Sequence, residues 1–146
     1  MNKTEVQKIR IDIVSNDQSA LSMLFDQDGR ISRQGSGTLP ADEFSVVSEN
    51  DGSIFTALIE SLDDNVFEHS GVYDHPNKAG EPITYSVVFL GNEPEVSVFE
   101  FRLGTETKDV GDLMPYFDQF ISKAVEGTNQ WYAAEKVHAS QAAQED

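Results

Sequence analysis

The chain predicts an α+β fold: an antiparallel sheet of about five or six strands, two main helices packed on one face of it, and a short C-terminal helix. Three observations carry that prediction. Large apolar residues recur at every second position in four stretches (Ile9/Ile11/Ile13, Leu21/Met23/Phe25, Ile83/Tyr85/Val87/Phe89 and Phe99/Phe101/Leu103), the period of a strand with one buried face. Two other stretches, from Ile54 to Leu62 and from Leu113 to Val125, space their apolar residues three and four apart, as an amphipathic helix does. The order hairpin-then-helix occurs twice, from Leu21 to Leu62 and from Ile83 to Val125, and packing both helices on one side of a common sheet satisfies every apolar face.

Taken in order, Ile9–Ile13 is the first strand, and Asn16-Asp17-Gln18 is a turn into the second, Leu21–Phe25. Asp26-Gln27-Asp28-Gly29 makes the next turn, with Gly29 free to take positive φ. A polar third strand, Arg30–Gln34, reads as a sheet edge and ends at Gly35-Ser36-Gly37; Phe44, Val46 and Val47 suit a short fourth. Ser53 is placed to cap the first helix, and Asp63-Asp64-Asn65 ends it, because acids are unfavourable at the negative end of a helix dipole. Val66–Pro82, with two Pro, two Gly and two His, reads as a loop with a short strand near Val66–Phe67.

The best strand, Ile83–Phe89, turns at Gly91-Asn92-Glu93-Pro94 into its partner, Phe99–Leu103. Asp112 is placed to cap the second helix, and Pro115 is tolerated in its first turn. Gly127 stands where a helix-ending glycine belongs, and Thr128 would cap a last helix through Trp131 and Tyr132. Residues 1–137 thus make one domain, and 138–146 a polar, frayed tail without an apolar face. The two passes do not align residue by residue. Gly37 to Ser53 is 16 positions, whereas Gly104 to Asp112 is 8, so the repeat is one of topology.

Composition narrows the function classes. With 38% hydrophobic residues in 146, including nine Phe, the chain has enough apolar side chain for a core without covalent staples. The absence of cysteine excludes disulfides, thiolate metal sites and cysteine nucleophiles, and suits a cytoplasmic protein. No signal peptide and no apolar run of ~18 residues is present, so no membrane attachment is expected. Net charge is −16 and unevenly spread. Residues 1–33 balance five bases with five acids, 34–77 hold nine acids and no Lys or Arg, and 78–146 hold twelve acids against five bases. Such a field repels nucleic acid and anionic lipid; it suits a basic protein partner, and it is equally what keeps a cytoplasmic protein soluble.

No nucleophile–base pair, dinucleotide fingerprint or phosphate loop stands out. Asp26-x-Asp28-Gly29 resembles part of a calcium loop, but Leu24 and Gly35 fall where oxygen ligands are required. The densest set of able side chains is the segment 68–75, where His69, Asp74 and His75 offer two imidazoles and a carboxylate to a metal, or an acid–base pair for hydrolysis. The spacing matches no zinc motif, and a surface loop with turns at Pro76 and Gly80 accounts for the same residues. No catalytic set and no cofactor are expected.

Strand parity yields a second candidate. If Ile9, Ile11 and Ile13 face the helices, Lys8, Arg10 and Asp12 face away, as do Glu100 and Arg102 opposite Phe99, Phe101 and Leu103. Arg30 or Arg33 joins them, depending on register, and Val88, Val96 and Val98 share the face. This open face suits an anionic or acidic partner if its bases are free, and cross-strand ion pairs if they are not. Trp131 and Tyr132 are either an interface hot spot or the anchor of the last helix on its own domain. The reading as a whole is a non-catalytic protein-binding or regulatory module, in the manner of a toxin-neutralising protein. Its rivals are a metal- or small-ligand-binding protein using 68–75 and a homodimer formed through the open sheet face.

Overall fold

The computed structural model describes residues 2–36, 44–49, 52–75, 79–92, 95–104, 106 and 113–144. Seven strands make one sheet: β1 (Lys8–Ser15), β2 (Gln18–Asp26), β3 (Arg30–Gly35), β4 (Ser45–Glu49), β5 (Gly71–Asp74), β6 (Pro82–Leu90) and β7 (Val96–Gly104). Their spatial order is β4-β3-β2-β1-β6-β7-β5. All neighbours are antiparallel except β5, which runs parallel to β7. The sheet is therefore mixed and has more strands than the five or six antiparallel ones expected.

The strands with this alternation form as their pattern dictates. Ile9, Ile11, Leu21, Met23, Val87, Phe89, Phe99 and Phe101 all point to one buried face. Asn16 and Asp17, with φ of 50° and 62°, form the two-residue β1–β2 turn, a conformation that Asn and Asp tolerate better than other side chains. Gly29, at φ 100°, closes the next turn. β3 is no edge: β4 covers it, pairing Arg30 with Glu49 and Ser32 with Val47. The segment expected as a loop is largely structured. Val66–His69 is a 3₁₀ turn, not a strand, with Val66 and Phe67 buried, and the strand comes later as β5. Four residues are too few to show alternation, so β5 escapes a periodicity test.

β1 to β4 step outward from the middle of the sheet to one edge. The chain then runs through α1 (Ser53–Glu60) and the 3₁₀ turn to reach the opposite edge as β5. Gly52, at φ 79°, occupies the N-cap of α1, so Ser53 is the first helical residue and not its cap. The helix stops at Glu60, ahead of the expected Asp63-Asp64-Asn65 stop, and Leu62 is buried just outside it.

The second helix, α2 (Leu113–Gln144), departs most from expectation. It is one continuous helix of 32 residues, with no break at Gly127 and no separate C-terminal helix. Residues 138–144, expected as a tail, continue it; the expected cap Asp112 lies outside the described residues. The cause is visible in its buried positions, Phe117, Phe120, Ile121, Ala124, Thr128 and Tyr132, which carry the helical stripe past the glycine. Thr128 is a mid-helix residue whose hydroxyl donates back to the Ala124 carbonyl at 2.9 Å.

Both helices pack on the same face of the sheet, and Phe55, Leu58, Phe117 and Phe120 join the inward strand residues in a single core. Phe117 lies among the rings of Phe99, Phe101, Phe89 and Phe120, with centroids 4.5 to 6.4 Å away. From there α2 crosses the strands, Phe120 meeting Phe89 of β6 and Tyr132 reaching β3 and Phe44. The rise from Phe117 to Tyr132 is about 22 Å, close to the roughly 19 Å that separates β7 from β3.

Candidate binding face

Both helices lie on one side of the sheet, and among the described residues no helix or strand covers the other side. Its residues follow from parity: Val47 and Glu49 on β4, Arg30 and Ser32 on β3, and Leu24 and Asp26 on β2. Across the centre come Lys8, Arg10, Asp12 and Val14 on β1, then Thr84, Ser86, Val88 and Leu90 on β6. Val96, Val98, Glu100 and Arg102 on β7, Val72 and Asp74 on β5, and the polar row Ser22, Gln34 and Ser45 on β2 to β4 share it. Five large hydrophobics are exposed among the described residues, and four are on this face: Val14 (38%), Val47 (66%), Val72 (54%) and Val96 (54%). Leu24, Val88, Leu90 and Val98 are half-buried beside them.

Each of the four bases expected on this face is there, and each is paired with an acid on the same face. Arg10 Nε meets Asp12 at 2.8 Å and Arg102 Nη2 meets Glu100 at 2.7 Å, both pairs two residues apart along one strand. Lys8 reaches Asp26 at 3.9 Å and Arg30 reaches Glu49 at 3.8 Å, both across strands. All are at least partly solvated, where such pairs contribute under about 1 kcal/mol each. Their effect on the field is larger than their effect on stability. Four bases against five acids (Asp12, Asp26, Glu49, Asp74, Glu100) leave the face at −1, so the remainder of the chain carries −15. The face is thus no cationic patch, and nothing on it favours an anionic ligand.

Arg33 is not on this face. With Ile31 and Gly35 it points inward, and it is 4% exposed. Its Nη1 donates to Thr128 Oγ1 and Asn129 Oδ1, both at 2.9 Å, and to the Val125 carbonyl at 3.2 Å, while its Nε donates to the Gly35 carbonyl at 3.0 Å. The guanidinium also lies 4.4 Å from the centre of the Tyr132 ring. Tyr132 is buried, accepts the Gly35 N–H at 3.0 Å and donates to the Phe44 carbonyl at 2.5 Å. It therefore anchors α2 to β3 and the start of β4 and is not offered to a partner. Trp131 packs on the core from the same turn, and its buried Nε1 has no hydrogen-bond partner among the described residues. The parity of Ile31, Arg33 and Gly35 was the available signal for this lock, and the charge of Arg33 hid it.

His69, Asp74 and His75 fall in three settings. His69 closes the 3₁₀ turn and accepts a hydrogen bond at its carbonyl from the Tyr73 hydroxyl. Asp74 is on the open face opposite Arg102, and His75 follows the end of β5, its N–H donating to the Arg102 carbonyl at 2.9 Å. No group of three or more His, Asp or Glu is gathered for a metal among the described residues. Phe67 against Phe89 and Tyr73 stacked on Phe101 at 5.2 Å hold this segment to the core.

The described concavities are shallow and open. One of about 660 Å³ lies between β4 and α2, lined by Phe44, Val46, Val47, Glu135 and His138. Another of about 540 Å³ lies beside the β6–β7 turn, where Gln7, Asn92 and Glu95 meet. A hydrogen bond that the protonated Glu95 carboxyl donates to Glu5, and then the negative charge of Glu5, push the Glu95 carboxyl above its ordinary range. No helix among the described residues is long and apolar enough to cross a membrane. No family model matches this chain, and no curated protein does either.

Proposed function

We propose that this protein is a cytoplasmic, non-catalytic binding module that engages another protein through the uncovered face of its sheet. The observation that supports this reading is that Val14, Val47, Val72 and Val96 are all exposed on one side of the sheet, Val47 and Val72 at its two edges, with half-buried Leu24, Val88 and Val98 on the strands between. Apolar side chains concentrated on one face favour burial against a partner. The ion pairs between them present both signs of charge at short range, which sets orientation more than affinity. The −15 on the rest of the chain acts at longer range. It steers a basic protein inward, a cationic toxin held inactive being one such partner, and it opposes nucleic acid and anionic membrane.

Affinity capture tests the reading, with wild type set beside a variant carrying Val72→Lys and Val96→Lys, both at exposed positions. The partner should be retained by wild type and lost by the variant at equal folded fraction; a basic partner should also fall away at high salt. Proteins retained equally by both would show that binding lies elsewhere.

A further inference from the structure

We infer that the open sheet face is a self-association surface, and that the partner covering it is a second copy of this chain. The inference rests on the reading of that face as a protein-binding surface and puts a second copy there in place of a basic protein. Charge is the first argument. Two molecules at −16 repel wherever their acidic surfaces meet, but the open face carries only −1, with each of Lys8, Arg10, Arg30 and Arg102 already beside a carboxylate. Burying it brings together valines, four ion pairs and Asp74, which stands opposite Arg102. A face with both signs in neighbouring rows is also complementary to itself under a two-fold rotation.

Size is the second argument. β2, β1, β6 and β7 hold eight or nine residues each, and the three outer strands four to six. At about 4.8 Å between strands and ~3.3 Å per residue the face covers on the order of 700 Å², close to the roughly 800 Å² each partner gives to a stable complex. Geometry supplies the third. Two such sheets pack face to face about 10 Å apart, which places both helical layers outside. The axes of the two α2 helices then stand roughly 30 Å apart, well beyond the ~8 Å over which charge acts at physiological salt. Asp118 and Glu126, exposed on α2, are thereby kept far from their counterparts.

Salt gives the inference a sign opposite to that of a basic partner. Screening removes repulsion between like-charged copies, so self-association should strengthen as salt rises, whereas an acidic–basic complex weakens. Sedimentation velocity at low and high protein concentration, each at low and high salt, reads this directly. Wild type should move toward dimer with concentration and with salt. Val88→Lys, at the centre of the face, and Val96→Lys, exposed nearer its edge, should each weaken dimerisation by roughly a hundredfold through an unpaired buried charge. Val137→Lys, exposed on α2, should leave it unchanged. If Val88→Lys loses its fold by circular dichroism, Val96→Lys decides alone. A monomer at every concentration and salt overturns the inference, as does a dimer that survives both face variants or weakens with salt. A monomeric wild type that still loses a different partner on Val72→Lys and Val96→Lys would leave the protein-binding reading standing without this one.

Discussion

Gly127 stands inside a helix, with nothing within 4 Å of where a Cβ would sit. Alanine there gains no contact and loses none; what changes is backbone entropy, which favours alanine in a helix interior by about 1 kcal/mol. Gly127→Ala should therefore stabilise the protein by roughly that amount in a denaturant titration, whereas a true helix-ending glycine with positive φ would make the same change destabilising. Gly35 is the contrary case, at φ 93° with the Ala20 carbonyl oxygen 2.3 Å from a Cβ position. Glu95 carries a third residue-scale consequence. Its carboxyl is raised in the folded protein by Glu5, so the folded state binds its proton more tightly than the unfolded chain does. That pair costs stability above the raised folded value, and the cost disappears as pH falls below the unfolded one. Glu95→Gln should accordingly raise the melting temperature at pH 7, with the gain vanishing in acid.

At the scale of elements, the half of α2 beyond Ala124 depends on Arg33 and Tyr132 for its seat on β3. Tyr132→Phe keeps the ring under the guanidinium and removes the hydroxyl that serves Gly35 N–H and the Phe44 carbonyl, at a cost of about 1–3 kcal/mol for buried groups left unpaired. Amide exchange should quicken in β4 and in α2 from Thr128 onward, while β1 and β6 stay protected; uniform loss across the sheet would contradict this division. The elements legible in the sequence are those whose alternation runs for three or more turns of the pattern, as in β1, β2, β6 and β7. β5 was hidden by its length, since Val72 and Tyr73 alone define no period. α2 was cut short because Gly127 was weighed as a stop, although Thr128 and Tyr132 keep the helical stripe. Of the candidate face, the positions of Lys8, Arg10, Arg30 and Arg102 were readable from parity. Their pairing was not, because Arg10–Asp12 and Arg102–Glu100 arise along single strands and depend on rotamers as well as register.

For the molecule as a whole, two distributions are set against each other: helices and aromatic core on one side of the sheet, paired charges and exposed valines on the other. The described strand positions of the second side sum to −1 of the chain's −16, so little of the acidic excess comes from the residues open to contact there. The position of β1 adds a consequence in time. It is the central strand of the sheet, paired on one side by β2 close in sequence and on the other by β6, where Ile11 meets Val87. The β1–β4 pairings join strands that are neighbours in sequence, whereas the other edge of β1 is paired only by residues 82–90, far along the chain. Loop closure over that distance makes the β1–β6 pairing the expected slow step of folding, and until it forms β1 has an edge on which another strand can pair.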